Sequence, residues 1–379
     1  MNISKKKIGV LGGGQLGRML QEKALEYGVN LYFMDEDAEC PCSIFKDYFT
    51  LGSFRNYEDI LQFGKDLDVL TVEIEHINVD ALDVLEKNDT LIIPNIASLR
   101  MIQNKAYQKQ FYSDHNIPTS PFIIQNDNDL DVPSDWFPFV QKSQRDGYDG
   151  KGVQVIMTEQ DMSKQLHCPS IIEKMVAIEK ELAITVSIDK NGDVRKFPIC
   201  EMVFDPELNL VDYLIAPSII SKEHEENIHQ ITDNIVQALN SSGVFSIEFF
   251  LTKNGEILVN EMAPRTHNSA HYTIEATNVS QFEAQLRILI GTTVPEIKMS
   301  THAAMINLVG AQGYKGVPFI EGFEDIMTMN NLFFHLYGKK MTNSGRKMGH
   351  ITLLNSDRYQ LIEDVQNVKK TIKIKADDN

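Results

Sequence analysis

Over residues 6–95, short apolar runs alternate with amphipathic stretches, and this rhythm restricts the chain to few architectures. The pattern predicts strands and helices in turn, with strands at residues 7–11, 30–34, 69–74 and 91–93 and helices at residues 15–27, 57–64 and 79–86. Such alternation is typical of a parallel, doubly wound sheet with helices on both faces. We therefore expect the chain to begin with an α/β domain.

The pattern changes after this first unit. A single helix is predicted at residues 99–116, where Ile117-Pro118 ends it and marks a domain boundary. From residue 122 to residue 260, strands separated by Gly, Asn and Asp turns surround one long helix at residues 224–241. Strand patterns return at residues 303–309 and 349–354. The sequence thus predicts a mixed α+β domain followed by a small closing domain.

A glycine-rich turn follows the first predicted strand and opens the first predicted helix. Gly12, Gly14 and Gly17 have the spacing of the dinucleotide-binding fingerprint, and Asp35 ends the next strand, as that fingerprint requires. Glycines at a helix N-terminus, however, let the backbone approach any phosphate ester. From these residues, a dinucleotide site, another phosphate site and a tight packing turn all remain open.

The segment from residue 243 to residue 265 is predicted to form a β-hairpin, because Asn254-Gly255 lies between two runs rich in β-forming residues. A two-residue loop places Glu248 directly opposite Glu261, and a four-residue loop at residues 252–255 makes them diagonal neighbours. Both registers put the two carboxylates on one face of the sheet.

The chemistry of this face indicates a divalent cation. Glu248 and Glu261 are accompanied by the amide of Asn260 and flanked by apolar residues, and hard oxygen ligands of this kind suit Mg²⁺. Arg265 adds a cation at the end of the same strand. A metal-bridged polyphosphate beside an anionic reactant explains this set, and a solvated sheet face is the plain alternative.

A second glycine loop follows Lys142, which ends a predicted strand. Gly147, Gly150 and Gly152 surround Lys151, so backbone amides can close over a phosphate. The loop lacks the Gly-Lys-Ser/Thr end of a Walker motif. A phosphate lid and a mobile surface hairpin both fit this pattern.

Downstream, residues 171–176 form a short, mostly apolar strand pattern, and Glu181 follows it. An edge strand beside a carboxylate suits an adenine base, and a second carboxylate can accept hydrogen bonds from ribose hydroxyls. A solvated charge run at residues 179–181 is the alternative.

The composition excludes several classes of partner. The formal net charge of -17 opposes binding to a nucleic acid. The basic residues before Ile8 are followed by an apolar run too short for an export signal, and no apolar stretch approaches the roughly 20 residues that span a bilayer. The four cysteines fit reduced thiols. We therefore expect a cytoplasmic protein that acts on small molecules and binds neither nucleic acid nor membrane.

Together these features resemble the ATP-grasp superfamily over almost the whole chain. Within it, four segments resemble the signatures of 5-(carboxyamino)imidazole ribonucleotide synthetases, namely GGQLGRM at residues 13–19, GYDGKG at 147–152, NEMAPRTHNS at 260–269 and GRKMGH at 345–350. The resemblance implies an N-terminal preATP-grasp domain at residues 1–96, a central two-lobed ATP-grasp domain at residues 97–294 and a small C-terminal domain at residues 295–379.

The resemblance also implies the reaction. ATP phosphorylates bicarbonate, and the amine of 5-aminoimidazole ribonucleotide captures the resulting carboxyphosphate, or the CO₂ released from it. The implied cofactors are ATP and Mg²⁺, the pathway is purine biosynthesis, and the expected assembly is a homodimer.

The same resemblance assigns roles to individual residues. It places Lys105, Lys142, Asn260 and Glu261 at the ATP phosphates, residues 147–152 with Gly147, Tyr148, Asp149, Gly150, Lys151 and Gly152 in the lid, and Glu173, Lys174, Met175, Val176 and Glu181 at the adenosine. Glu248 and Glu261 would bind Mg²⁺, and Gly14, Gln15, Leu16, Arg346 and Lys347 would hold the ribonucleotide. Arg265, His267, Asn268 and Tyr148 would act at the reacting centre, together with Glu73 as the preferred orienting or proton-handling carboxylate and Glu75 close behind.

Two residues depart from the family pattern. Phe204 stands where many members carry a histidine that contacts the nucleotide. Lys105 stands where an arginine is common, which keeps the charge but gives up the planar fork.

Three other functions compete with this interpretation. A formate-dependent phosphoribosylglycinamide formyltransferase usually carries Glu at the position of Gln15 and lacks the His-Asn-Ser run at residues 267–269. A nicotinamide oxidoreductase would use the first glycine loop and Asp35, but it leaves Glu248 and Glu261 unexplained. A non-enzymatic nucleotide-binding regulator is disfavoured by the complete set of metal and anion ligands.

Overall fold

The computed structural model describes residues 3–126, 130, 132–145, 147, 152–206, 208 and 210–377. The predicted lid residues Tyr148, Asp149, Gly150 and Lys151 lie outside the described residues. Within the described parts of the chain, each helix is too short or too polar to span a lipid bilayer.

The chain begins with a parallel sheet in the order β3-β2-β1-β4-β5. Its strands are β1 (Ile8–Leu11), β2 (Leu31–Asp35), β3 (Phe49–Leu51), β4 (Val69–Val72) and β5 (Leu91–Ile92). The helices of this unit are α1 (Gln15–Glu26), α2 (Tyr57–Gly64) and α3 (Val79–Lys87). Asn56 and Asn78 accept hydrogen bonds from the first-turn N–H groups of α2 and α3, so each helix begins where its cap stands. The predicted doubly wound domain is confirmed.

The next segment forms two helices, α4 (Ile96–Ile102) and α5 (Lys105–Asp114), so the predicted single helix at residues 99–116 is wrong. The side chain of Asn104 accepts hydrogen bonds from the N–H groups of Ala106 and Tyr107 and thereby starts a new helix. The apolar periodicity continues across the junction, which is why the sequence pattern concealed the break.

A small antiparallel sheet follows in the order β6-β9-β7-β8. Its strands are β6 (Phe122–Gln125), β7 (Phe139–Ser143), β8 (Val153–Ile156) and β9 (Ser170–Lys174). The second glycine loop connects β7 to β8.

A large antiparallel sheet runs in the order β15-β14-β10-β12-β13-β16-β19-β18, with β11 paired to β10. Its first strands are β10 (Ile178–Ile188), β11 (Val194–Lys196), β12 (Cys200–Asp205), β13 (Leu210–Ala216), β14 (Gly243–Thr252) and β15 (Ile257–Ala263). Its last strands are β16 (His302–Val309), β18 (Leu332–Leu336) and β19 (Lys347–Asn355), while β17 (Pro318–Glu321) pairs with β20 (Lys373–Ala376) in a separate ribbon. Because β13 pairs with β16, the C-terminal strands extend the central sheet.

Helices cover these sheets. They are α6 (Lys222–Leu239), α7 (Thr273–Ala276), α8 (Gln281–Ile290), α9 (Phe323–Ile326) and α10 (Arg358–Thr371). Short 3-10 helices occur at Ile3–Lys5, Pro41–Ile44, Lys46–Tyr48, Ser134–Trp136, Glu159–Lys164 and Asn268–Ala270. One buried cluster joins Leu16 and Leu20 of α1 to Phe282 and Leu286 of α8, so the first unit is packed onto the central one at the helix that follows the predicted reaction centre.

Candidate active site

The turn between β1 and α1 encloses the carboxylate of Glu73. Oε2 accepts a hydrogen bond from the N–H of Gly14 at 2.8 Å, and Oε1 accepts one from Leu16 at 3.1 Å. A Cβ atom at Gly14 would lie 2.5 Å from Glu73 Oε1, and one at Gly17 would lie 2.6 Å from Oε2. The glycines are therefore required by the close approach of a side chain of the same protein. The carboxylate occupies the anion position at the helix N-terminus that a dinucleotide would need.

Glu73 lies where a proton can be exchanged near neutral pH. Burial, with the nearby Asp35 carboxylate, raises the pKa of Glu73 to about 7, although the N–H groups of the glycine turn oppose the shift. Asp35 itself accepts a hydrogen bond from the N–H of Gly13 at 2.6 Å. Asp35 and Glu73 thus both accept hydrogen bonds from the backbone of the glycine turn.

The carboxylate hairpin forms. Its part farther from the turn has the register predicted for a two-residue loop, which places Glu248 opposite Glu261, whereas the part near the turn is shifted by one residue. Phe249 pairs with Val259 near the turn, whereas Ile247 pairs with Met262 beyond it, so a β-bulge separates the two parts of the ladder. The bulge places Asn260 and Glu261 together opposite Glu248. Regular alternation would send these two neighbours to opposite faces, and the bulge brings both beside Glu248, with Asn260 Nδ2 at 3.5 Å from Glu248 Oε2.

The two glutamates of this face differ in their electrostatic surroundings. Lys105 Nζ lies 2.5 Å from Glu261 Oε2, and this cation holds the pKa of Glu261 below its usual range. Burial, with the carboxylates of Glu261 and Glu181, raises the pKa of Glu248. The pair therefore retains an uncompensated negative charge when both groups are ionised.

Lys142, predicted to hold an ATP phosphate, lies beside this face. Its Nζ is 2.9 Å from Asn260 Oδ1 and 2.9 Å from Glu173 Oε1. Glu173 Oε2 is also 3.0 Å from Nζ of Lys109, whose side chain is 2% exposed. Although burial opposes it, Lys142 and Lys109 together keep the pKa of Glu173 below its usual value. The Glu173 carboxylate, predicted to contact adenosine, thus serves as counter-ion to two lysines inside the protein.

The other predicted adenosine residues line the end of β9 and the start of β10. Lys174 and Met175 are exposed and Val176 is half-buried. Glu181 is half-buried, and burial raises its pKa to about 7 while Lys142 lowers it. Across the second loop, a Cβ at Gly152 would lie 3.3 Å from Gly147 Cα, so the two ends of the loop are close together.

The segment after β15 delivers the predicted anion ligands. Arg265 Nη2 lies 2.7 Å from Glu75 Oε1, and within the described part of the chain its buried Nε has no hydrogen-bond partner. His267 Nδ1 is 3.9 Å from Glu248 Oε1. The amide of Asn268 exchanges two 2.9 Å hydrogen bonds with that of Asn307, so it is engaged in a buried pair.

The C-terminal segment reaches back to the start of α1. Lys339 Nζ donates to Gln15 Oε1 at 2.7 Å and to the carbonyl of Lys347 at 2.7 Å. Lys347 itself begins β19 and pairs with Val309 of β16. Arg346 donates to the carbonyl of Met341 at 2.9 Å. The C-terminal segment is thus bonded to the first helix at Gln15.

Three family models match successive parts of the chain: the ribonucleotide synthetase preATP-grasp domain at residues 5–103, the ATP-grasp domain at residues 110–282 and the phosphoribosylaminoimidazole carboxylase C-terminal domain at residues 303–364. The chain is 31% identical to the N5-carboxyaminoimidazole ribonucleotide synthase of Staphylococcus aureus (strain COL), over 96% of this chain and 98% of that protein. The chain belongs to the N5-carboxyaminoimidazole ribonucleotide synthase family.

Solved structures of this synthase family agree. The Thermotoga maritima synthetase superposes with a TM-score of 0.90 at 36% identity, covering 98% of this chain and 100% of that one. The Aspergillus clavatus synthase, solved with ADP and 5-aminoimidazole ribonucleotide, has a TM-score of 0.86 at 29% identity, covering 97% and 98%. The chain is also 34% identical to the chloroplastic phosphoribosylaminoimidazole carboxylase of Vigna aconitifolia over 92% of this chain, and it spans 64% of that protein's length.

These findings confirm the predicted family, the three-part ATP-grasp fold and the class of ATP-grasp ligase. They do not favour the formyltransferase or the oxidoreductase. Within the synthase, Phe204 is partly buried and packs against the apolar cluster that contains Met202 and Leu214.

Two lysines of this synthase site were missed in the sequence. Lys109 stands one helical turn after Lys105 on α5, which is a spacing that places both on one face. That signal was available. Lys339 follows Gly338 in an irregular segment after β18, where no periodicity indicates a direction.

Proposed function

We propose that this synthase uses ATP and bicarbonate to carboxylate the amine of 5-aminoimidazole ribonucleotide, which yields N5-carboxyaminoimidazole ribonucleotide, ADP and phosphate for purine biosynthesis. The observation that carries the proposal is the arrangement of Glu248, Asn260 and Glu261 on one face of the hairpin, with Lys105 bonded to Glu261 and Lys142 to Asn260. Paired carboxylates beside two lysines suit a nucleotide polyphosphate and its divalent cation.

The ATP side of the site follows from the positions of its cations. Lys105 and Lys142 lie next to Glu261 and Asn260, where they can pair with phosphate oxygens. The exposed edge at Lys174 and Met175 offers room for the base, and Glu181 can accept from the ribose. Glu173 then acts indirectly, because it holds Lys142 in place.

Mg²⁺ fits the carboxylate face. In the described part of the chain, no group of three His, Cys, Asp or Glu side chains forms a closed metal site. Mg²⁺, however, is usually held by one or two carboxylates together with substrate phosphates, and Glu248 and Glu261 supply such a pair. When bound, the ion would neutralise phosphate charge as it develops in the transition state.

The reacting centre is proposed beside Glu248. Arg265, fixed by its ion pair with Glu75, would bind bicarbonate and then carboxyphosphate, because a guanidinium pairs well with planar oxyanions. His267, whose Nδ1 is 3.9 Å from Glu248, would contact the same reactant. The amine then forms a bond to the carboxyl carbon, phosphate leaves with the bonding electrons, and the amine gives up a proton.

The ribonucleotide is proposed to lie between the glycine turn and the C-terminal segment. Lys339 joins Gln15 to the backbone of Lys347 there, and Arg346 precedes Lys347 in the chain. Since the N–H groups of Gly14 and Leu16 are bonded to Glu73, the turn would contribute its side chains and its shape. Glu73, with a pKa of about 7, is a suitable acceptor for the amine proton, directly or through water.

The test is a coupled assay of ADP release with and without bicarbonate and 5-aminoimidazole ribonucleotide. We expect release that requires both, and release independent of the ribonucleotide would reject the proposal. Glu248→Gln and Glu261→Gln should each abolish turnover with the fold retained, because phosphate charge is then not neutralised. Glu256→Gln, at the turn of the same hairpin, is the matched control and should retain activity.

The predicted cytoplasmic location and homodimer remain predictions. Cell fractionation tests the first, and light scattering of the purified protein tests the second.

A further inference from the structure

Gln281, the first residue of α8, holds the backbone of His267 from both sides. Its Oε1 accepts a hydrogen bond from the His267 N–H at 2.8 Å, and its Nε2 donates to the His267 carbonyl at 2.8 Å. Gln281 is 0% exposed. One carboxamide therefore satisfies both backbone polar groups of this residue, as a partner strand would, and sets the direction in which the imidazole leaves the chain.

The same carboxamide also orients a second histidine. Because the His267 N–H requires an oxygen and the His267 carbonyl requires an N–H, the two ends of the Gln281 amide are assigned without ambiguity. The remaining hydrogen of its NH₂ group points to His271 Nδ1 at 2.9 Å. His271 Nδ1 must then accept, so this ring is neutral and carries its hydrogen on Nε2. Burial lowers the pKa of His271 in the same sense, with the charges of His267, His335, Lys347 and Arg265 adding to the effect.

His271 is held in turn by rings of the C-terminal segment. Its centroid is 4.8 Å from that of His350, which stacks on His335 at 4.4 Å. Tyr337 Oη lies 3.0 Å from His350 Nδ1, and His335 Nε2 lies 2.7 Å from Glu275 Oε1. Gln281 is thus held between the ring of His271, which packs on these rings, and the backbone of His267.

We infer that Gln281 is a positioning residue for the ligase reaction, whose carboxamide holds His267 so that its imidazole faces Glu248 and the reactant derived from bicarbonate. The inference rests on the proposed role of His267 and assigns no contact between Gln281 and substrate. His267 is further steadied by Ser269, whose Oγ is 3.0 Å from His267 Nδ1, but Ser269 leaves the backbone of His267 free to rotate.

The same helix supplies a matched control. Gln285 lies one turn after Gln281, is 3% exposed and donates to Thr71 Oγ1 at 3.0 Å. It has the same side chain, the same helix and similar burial, and its described hydrogen bond goes to β4. Replacement of either residue by Met keeps the volume and removes the hydrogen bonds.

Steady-state kinetics of Gln281→Met and Gln285→Met test the inference. We expect Gln281→Met to lower kcat on the order of tenfold to a hundredfold, because small displacements of a reacting group have effects of this size, while KM for ATP stays nearly unchanged. Gln285→Met should keep the kcat of the unsubstituted protein, although its urea unfolding midpoint should be similar to that of Gln281→Met. An unchanged kcat in Gln281→Met, or equal losses of kcat in both variants, overturns the inference.

Nitrogen-15 NMR of the histidine rings gives a readout that does not depend on turnover. In the unsubstituted protein, His271 should show a hydrogen on Nε2 and none on Nδ1. An ionised Gln281→Glu side chain has no hydrogen to offer, so His271 Nδ1 should gain one, either by a change of tautomer or by protonation of the ring. A His271 Nδ1 that stays without a hydrogen in this variant overturns the inference. If the unsubstituted protein itself forms no ADP with its substrates, the proposed function fails, and the NMR result still decides whether Gln281 bonds His271 as described.

Discussion

The Oε2 atom of Glu73 accepts a 2.8 Å hydrogen bond from the N–H of Gly14, and this contact explains the first glycine loop. The loop has the sequence of a dinucleotide fingerprint because the structural requirement is similar: a negative group must approach the backbone at a helix N-terminus. Here that group belongs to the protein. A fingerprint of glycines therefore identifies a close approach and leaves the identity of the approaching anion undecided.

The loop is expected not to bind NAD or NADP. The carboxylate of Glu73 already receives the N–H groups of Gly14 and Leu16, and a pyrophosphate placed there would be repelled by it. Calorimetric titration with each dinucleotide should show no binding in the micromolar range. Saturable micromolar binding of either one would restore the oxidoreductase interpretation.

The stability of the protein should depend on pH through Glu73. Its pKa rises from an ordinary value of 4.5 to about 7 on folding, so between these values the folded protein keeps a proton that the unfolded chain has released. Raising the pH through this window therefore lowers the free energy of unfolding, by on the order of 3 kcal/mol from this group. Urea unfolding at several pH values should show a weaker decline in Glu73→Gln. The exposed Glu86→Gln should follow the unsubstituted protein, and identical profiles for all three would contradict the prediction.

Glu173 and Lys109 should be energetically coupled. Both side chains are almost fully buried, and Glu173→Gln leaves Lys109 and Lys142 without their counter-ion, which should cost about 3–5 kcal/mol. Lys109→Met should cost less in the Glu173→Gln background than alone, because it then removes an unpaired cation. A double-mutant cycle measured by urea unfolding decides this. If the losses of unfolding free energy are additive and the affinity for ATP is reduced, Glu173 instead contacts the adenosine directly.

Arg346 and Lys347 should matter for the ribonucleotide. A lost charge-assisted contact to phosphate costs about 1.5–3 kcal/mol, so Arg346→Ala and Lys347→Ala should each raise KM for the ribonucleotide roughly tenfold to a hundredfold. KM for ATP should change little. Lys340→Ala, which removes a surface ion pair with Glu39, is the control and should leave both constants unchanged. If KM for ATP rises and KM for the ribonucleotide does not, these residues belong to the ATP site.

The local structure of this chain could be predicted where local energies decide it. The β–α rhythm of the first 95 residues marks its elements because strands covered on both faces are continuous apolar runs, whereas the helices are apolar on one face only. The hairpin at Asn254-Gly255 was predicted for the same kind of reason, since these residues favour a tight turn. The break between α4 and α5 was missed because the apolar periodicity continues across it. Only the side chain of Asn104, which caps the second helix, marks the break.

The carboxylate face shows where such patterns end. Glu248 and Glu261 were predicted to share a face, and the pair Ile247–Met262 keeps the register predicted for a two-residue loop. The bulge, which shifts the pairs nearer the turn by one residue, was not predicted. The bulge also places Asn260 and Glu261 together opposite Glu248. A bulge depends on the packing of both strands against their neighbours, and a single sequence carries no clear signal for it.

The sequence by itself determined the elements, the turn residues and the family, because periodicity, caps and motifs act over a few residues. The tertiary structure decided which charges meet: Glu73 enters the glycine turn, Glu173 pairs with Lys109, and Lys339 reaches Gln15 across 324 residues of chain. These contacts depend on how close-packed segments are oriented in space. Their polar atoms lie 2.7–3.1 Å apart, and no local pattern specifies distances of that kind between remote residues.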